Sequence, residues 1–387
     1  MPNTLGPIVP KILAMGLMTL REKCVLPRLV NSSYSSEAAQ FGATIDVPIP
    51  TKQAAVDVTP SNTPPAPSNN NMTTVQILLN KWKKSDFNLT DKDLREINKN
   101  QSFVPMQMAE AIRSLANQVN SDIHAEYKEI YGFFGTPGTT PFATSITDGT
   151  NARKVLNQQV CPLANRRGVL NFDAEANALA LPAFSNFEQT GDMAVKIEGQ
   201  IGRKLGVDWY ADDQVVTHNS TAHSAGAATV NGAHAVGFGS TDNGKTGTVS
   251  IAKATNPSPL VKGDILTFAG DNQTYTVMAD VTLAVGNTTV SISPALRVAK
   301  AGGEAVTLKA THVVNLVFHR DAFAFANRPV ASDLFTGGSE IAQMTDPQTG
   351  ISMALEVSRQ YHQTVWEFSL LYGTRLVRPE LAMRLAG

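Results

Sequence analysis

Cysteine is nearly missing from this chain: Cys24 and Cys161 are the only two in 387 residues. A pair so far apart supplies neither the multi-bridge framework of a small secreted domain nor a four-ligand zinc cluster. Both are expected as reduced structural thiols, in keeping with a cytoplasmic protein. An excess of either charge is missing too. The 32 basic and 33 acidic residues leave a net charge of -1, which argues against a strongly basic DNA-gripping protein and leaves only weak, local contact with nucleic acid. Long apolar runs are also absent. "IVPKILAMGLMTL" at 8–20 is broken by Pro10 and Lys11, whereas a membrane span needs about 20 apolar residues. It lacks the basic start and cleavage site of a secretory signal. Ile12, Leu13, Leu17 and Leu20 instead predict a short amphipathic helix that stops near Pro27.

The composition that is present, 42% hydrophobic with ordinary glycine and proline, describes a globular protein long enough for two or three domains. Ile45, Val47 and Ile49 alternate with polar residues and predict a strand. After them, "TPSNTPPAPSNNNMTT" at 59–74 holds four prolines and no charge. Val75, Ile77 and Leu79 then resume the alternation, so a two-stranded finger with the Pro/Asn tract at its tip is expected. An isolated hairpin is marginal in water, so the finger should rest on something, and a neighbouring subunit is the support expected. Lys52, Val56, Val58, Pro60, Pro64, Pro65, Pro67, Asn70 and Trp82 are the candidate inter-subunit contacts.

Between Pro105 and Tyr131, Met108, Ile112, Leu115, Val119, Ile123, Tyr127 and Ile130 recur at steps of three and four. They predict a helix about 40 Å long, with Gly132 as its stop. Shorter helices are expected at 151–160, capped by Thr147 or Asp148, at 173–181 and at 193–205. From Thr221 to His312 the style changes: 11 of the 28 glycines fall there, no tryptophan does, and short β runs separated by turn signals predict a compact barrel or sandwich. "VVNLVF" then predicts a strand leading into a short helix with Phe323 and Phe325 inside. Alternation at Ile351, Met353, Leu355 and Val357 and the run "TVWEFSLLYG" predict two strands, and Pro379 is expected to begin a last helix.

Several motifs suggest chemistry and fail on context. "GSTDNGKT" at 239–246 fits the phosphate-loop pattern, yet the β-branched "GTVSIAK" follows where a helix should begin. Asp242 would also set a carboxylate inside the anion cradle. A β-hairpin turn on Asn243-Gly244 with Lys245 in solvent fits better. "HRDAFAFAN" at 319–327 is similar to a kinase catalytic loop, but Ala326 stands where the asparagine belongs. His218 and His223 are five apart in a polar loop, His124 lies in the long helix, and no His-Glu-x-x-His occurs. The histidines are expected as surface or satisfied core residues, and the Asp212-Asp213 and Asp91/Asp93 pairs on exposed loops or helix starts. No catalytic, cofactor or metal site emerges.

Taken together, the finger, the rod helix, the β insert and the closing "TRLVRPELAMRLAG" resemble the major capsid proteins of tailed bacteriophages, in the subfamily with an inserted β-barrel. The likeness is carried by "IVPKILAMGLMTLREKCVLPRLVN" (8–31), "GQIGRKLGVDWYADDQVVTH" (199–218), "VMADVTLAVGNTTVSISPAL" (277–296) and "LVFHRDAFAFANRPV" (316–330). It keeps segment order over nearly the whole chain and departs in the finger tip and the early β block.

The resemblance implies an α+β capsid fold. The N-terminal arm would be 1–40, the extended loop 41–90 and a peripheral domain with spine helix 91–150. An axial domain would occupy 151–220 and 313–349, the inserted barrel 221–312 and the peripheral return strands 350–387. It implies a non-enzymatic coat protein of the virion, assembled in the host cytoplasm. Hexamers and pentamers would close an icosahedral shell around double-stranded DNA, through a scaffold-dependent procapsid that expands. Self, scaffold protein, portal protein and a decoration protein are the implied partners, with weak DNA contact and no membrane. In some relatives lysine and asparagine crosslink subunits; Lys52 has no identifiable partner and reads as solvent-exposed. Two other readings stand beside this one: a glycan-binding protein using the β insert, and a nucleotide hydrolase resting on Lys245.

Overall fold

The 22 residues Phe103–His124 form the long helix on which the body of the molecule is assembled. At 1.5 Å per residue they span about 33 Å. Met108, Ile112, Leu115, Val119 and Ile123 line its buried stripe. The helix is shorter than its periodicity predicts. Ala125–Glu129 tighten into a 3-10 turn, and Gly132–Phe134 is drawn off as a strand against Ala382–Ala386. The computed structural model describes residues 25–34, 44–49, 73–92, 103–185, 201–221, 228–240, 244–328, 339–345 and 351–387. It also describes residues 55, 57, 58, 60, 62 and 242 singly.

A mixed seven-stranded sheet runs in the order Gly132–Phe134, Ala382–Ala386, His312–His319, Arg166–Leu170, Val207–Ala211, Gly202–Lys204, with Thr217–His218 on the outer end of His312–His319. Two sequence expectations are corrected here. The helix expected from Pro379 is a single 3-10 turn, Pro379–Leu381, followed by a strand buried at every residue, Arg384 included; a strand covered on both faces loses its wet-and-dry alternation. Of the helix expected at 193–205, residues 193–200 lie outside the described residues, and Gly202–Lys204 is a strand. It turns through Leu205 (φ 57°) and Gly206 (φ 78°) into Val207–Ala211, the two left-handed residues that a tight hairpin requires. The helix Thr147–Gln158 begins without a side-chain cap, because the Asp148 carboxylate accepts the Phe142 N–H at 2.7 Å instead.

The second sheet is built on Gln363–Leu376. Lys81–Thr90 pairs along this strand, which also pairs with Ser352–Gln360 and then with Phe323–Arg328; Ser339–Thr345 extends the sheet beyond Ser352–Gln360. Phe323 and Phe325 therefore sit in a strand, after a three-residue 3-10 turn, and not in a helix. Alternation explains "FAFA" well. Phe323 and Phe325 join the main core, while Ala324 and Ala326 belong to a separate cluster with Ile45, Val47, Ile49 and Ile77.

Between Thr217–His218 and His312–His319 the chain builds a closed six-stranded antiparallel barrel. Its order is Gly247–Lys253, Gly286–Ser293, Thr274–Val277, Ile265–Phe268, Ala305–Leu308, Ala228–Val230. Val249, Ile251, Leu266, Phe268, Tyr275, Val277, Val290 and Ile292 fill its interior. A barrel this narrow holds side chains and has no room for a ligand.

Candidate assembly surfaces and the barrel junction

The finger is present at its base. Thr44–Ile49 and Thr73–Leu78 pair antiparallel, from Thr44↔Leu78 to Ile49↔Thr73. Its apolar face is covered by the same chain: Ile45, Val47, Ile49, Ile77 and Leu79 are buried with Ala324, Ala326 and Val377. The support expected from a neighbour is thus intramolecular over this stretch. Each such side chain stabilises by about 1.5–3 kcal/mol on burial. The fit is close at Gly373, where an added Cβ would lie 2.5 Å from the Leu78 carbonyl oxygen.

Of the candidate contact residues, Val58 (93% exposed) and Pro60 are exposed in the segment joining the finger strands. Trp82, 56% exposed, stands apart from them on the strand Lys81–Thr90, opposite Leu371 in the second sheet. Lys52, Val56, Pro64, Pro65, Pro67 and Asn70 lie outside the described residues, as does Cys24.

The phosphate-like loop is occupied by its own carboxylate. Asp242 accepts hydrogen bonds from the Thr246 N–H at 2.8 Å and the Thr246 hydroxyl at 2.7 Å, and the Ser240 hydroxyl donates to it at 3.2 Å. The sequence reading needs correcting on two points. The loop is part of a long connection from Ala228–Val230 to Gly247–Lys253, not a two-residue hairpin, although Gly244 does take φ 84°. Lys245 is not free in solvent: its Nζ donates to Thr73 Oγ1 at 3.0 Å, tying the barrel to the finger.

The principal polar site is one that sequence reasoning missed. His218 and His312 face each other across the strand pair through which the chain enters and leaves the barrel. Tyr127 Oη lies 2.9 Å from His218 Nδ1, and His218 Nε2 lies 2.8 Å from Asp264 Oδ1. Asp264 Oδ2 accepts the Val261 N–H at 2.9 Å. Arg384, fully buried, donates to the carbonyls of Gly263 (2.6 Å) and Lys128 (3.2 Å) and to Thr276 Oγ1 (3.2 Å). Its guanidinium lies 5.1 Å from the Tyr127 ring centre. Asp264, Gly263 and Thr276 belong to the barrel module; Tyr127, Lys128 and Arg384 belong to the body. The site is therefore a charge-balanced clamp.

Burial and hydrogen bonding together set its electrostatics. Burial is the main cause at Arg384, pushing it down to about 9 against the opposing pull of Tyr127 and Asp264. Asp264 is held below the usual carboxylate range because hydrogen bonds from His218 and Val261 outweigh its desolvation. His312 is lowered to about 4 by burial, with Arg384 and His218 adding to the effect. His124, one turn before Tyr127, is also lowered to about 4 by burial, and neither ring nitrogen has a hydrogen-bond partner among the described residues.

The sequence-level pairs are regrouped. His218 joins His312 and Asp264, while His223 lies outside the described residues. Asp212, expected on an exposed loop, is 4% exposed, and its carboxyl is raised to about 6 by burial with Asp213 contributing. Asp91 pairs with Arg359 at 2.9 Å; Asp93 lies outside the described residues. Cys161 is buried, and burial raises its thiol. Among the described residues no three metal-ligating side chains gather, and no helix is long and apolar enough to cross a membrane. Three surface clefts, of about 350, 250 and 560 Å³, lie between barrel and body, beside Asp212, and beneath the finger. The insert boundaries at 221 and 312 fall beside His218 and His312, a signal that could have exposed the junction.

No protein-family model matches the chain, and no curated protein matches it in sequence. Solved structures do match. A structure from Mycobacterium phage Che8 aligns over 94% of this chain and 90% of its own, at 12% identity and a TM-score of 0.53. The capsid structure of cyanophage P-SCSP1u aligns over 93% of this chain and 87% of its own, at 11% identity and a TM-score of 0.49. At such identities what is shared is the fold. The chain shares its fold with the phage Che8 structure and carries a closed six-stranded barrel within it.

Proposed function

We propose that this protein is the major coat subunit of a tailed bacteriophage, which self-assembles as hexamers and pentamers into an icosahedral shell around double-stranded DNA. The observation that carries the reading is the fold shared with the phage Che8 structure across 94% of the chain. The finger supports it: a β ribbon anchored at its base on its own subunit, with Val58 and Pro60 presented beyond, is built to reach a neighbour. Head-to-tail contacts of this kind are what a closed symmetric shell requires, and many weak contacts together make it stable.

In this reading residues 41–90 are the extended loop and the long helix is the spine of a peripheral domain (91–150, with 350–387). The seven-stranded sheet is the core of an axial domain (151–220 and 313–349), and 221–312 is the insert. Assembly runs through a scaffold-filled precursor that expands, with portal and decoration proteins as further partners. The protein is structural and has no catalytic role. The packed barrel interior supports a spacer or brace over a glycan cup.

Electron microscopy of the overexpressed protein, alone and with its scaffold protein, tests the proposal. Closed shells, sheets or tubes are expected; a strictly monomeric protein under all these conditions would refute it.

A further inference from the structure

One corner of the seven-stranded sheet gathers arginines that have little to neutralise them. Register sets Arg203 opposite Asp208, and Asp208 opposite Arg167, in one row across three strands. Arg167 in turn lies opposite Phe318, one residue before His319 and two before Arg320. The backbone N–H groups of Arg320 and Arg378 bond to the carbonyls of Asn165 and Ala322, which brings both residues to the same end of the sheet. Arg203 and Arg320 are exposed, and Arg167 and Arg378 are half-buried. The counter-charges are Asp208, 3.7 Å from Arg203, and Asp321, which is engaged by Asn31 at 2.9 Å and lies 3.7 Å from His319. Among the described residues no carboxylate lies within ion-pair distance of Arg167, Arg320 or Arg378. The Arg167 guanidinium donates to the Arg28 carbonyl at 2.9 Å. Burial holds Arg167 below its ordinary range and Arg320 pushes it the same way, against Tyr210 and Asp208. His319 is likewise lowered by burial and by Arg166, Arg167 and Arg378, with Asp321 opposing.

We infer that this corner, carrying Arg167, Arg203, Arg320 and Arg378, binds the phosphate backbone of a nucleic acid. Guanidinium groups present paired donors that match phosphate oxygens, and an incoming anion relieves the repulsion among them. The charges are spread along a strand row and the adjoining turns, and they line none of the three clefts described above. Such spacing suits a repeating backbone better than a single phosphate. Tyr210, 41% exposed, adds an amphipathic ring beside Arg167. Taking the polymer to be double-stranded DNA rests on the shell reading. The overall charge of -1 keeps the contact local and weak, so packaged DNA is held off the rest of the wall.

The test is a fluorescence-anisotropy titration of unassembled protein with a labelled duplex of about 30 base pairs across a salt series. Wild type should bind with a linear log–log salt dependence. The double variant Arg167→Gln/Arg320→Gln should lose about ten-fold in affinity at low salt, and its slope should fall by about two phosphate contacts. Lys84→Gln, on the second sheet, should change neither quantity. If the double variant melts early, the exposed Arg320→Gln alone should lower the slope by about one contact. Unchanged binding and slope in a variant that melts like wild type would overturn the inference. So would absence of wild-type binding at low salt, or equal displacement by inorganic phosphate at matched phosphate concentration. Shell formation is read separately by microscopy, so failure of one reading is not mistaken for failure of the other.

Discussion

Arg384 and the residues around it show why a few buried polar groups govern this molecule. A guanidinium removed from water is costly unless its donors are met, and here two carbonyls and a hydroxyl from both halves of the chain meet its two terminal nitrogens, while its Nε has no partner among the described residues. Arg384→Met should lower thermal stability by about 3 kcal/mol, because Asp264 and the Gly263 carbonyl lose the cation that balances them. Differential scanning calorimetry would measure this. The two low-titrating histidines give a pH dependence of known sign. His124 and His312 stay neutral when folded down to about pH 4, whereas unfolded imidazoles take up a proton near 6.5. The unfolded state therefore binds more protons in that window, and stability falls as pH drops from about 6.5 to about 4. Asp212 acts oppositely. Its carboxyl is raised to about 6, so the folded state holds the extra proton and that contribution is lost as pH rises from about 4 to about 6. His124→Phe should flatten the acid loss in melts recorded between pH 4 and 7, while Asp212→Asn should make the acid side steeper.

At the scale of elements, the finger base shows what holds a ribbon to a body. Ala324 and Ala326 leave a shallow floor, and Gly373 lets Leu78 approach. Gly373→Ala should lift the ribbon, costing about 1–3 kcal/mol and exposing Ile77; faster amide exchange confined to Thr44–Ile49 and Thr73–Leu78 would confirm it. Lys245→Ala should leave nucleotide binding at zero and loosen only the Thr73 contact, with a loss below about 1 kcal/mol. Such elements were legible wherever one face is wet. The alternation at Ile45, Val47 and Ile49 and the period of the long helix are written directly in the sequence. Ala382–Ala386 was not legible, since a strand buried on both faces has no alternation, and neither was Gly202–Lys204, whose tight turn depends on a left-handed leucine. The junction escaped for a different reason: Tyr127, His218, Asp264, His312 and Arg384 are brought together by topology, and no local spacing encodes them.

At the scale of the whole molecule, the features sort into those that stabilise one subunit and those that serve many. The finger base, the clamp and the barrel core are packed within the chain. Val58 and Pro60 are exposed and are not part of that packing. Replacing residues 55–72 by a short turn should therefore leave a folded protein with a near-normal melt that forms no closed shells by electron microscopy. A variant that still closed shells would relieve the finger of its proposed role.

The strand pair at His218 and His312 has a consequence for inheritance. Because the chain leaves and rejoins the body at adjacent backbone positions, a different domain could be spliced there without disturbing the sheet that flanks it. The body nonetheless presents a fixed socket: His218, held by the Tyr127 hydroxyl, and the Arg384 guanidinium both reach groups of the barrel. Any replacement must offer a carboxylate where Asp264 sits and a carbonyl where Gly263 sits. A module exchanged at this point is thus constrained at the junction contacts, Asp264, Gly263 and Thr276 among them, and left free over most of its length.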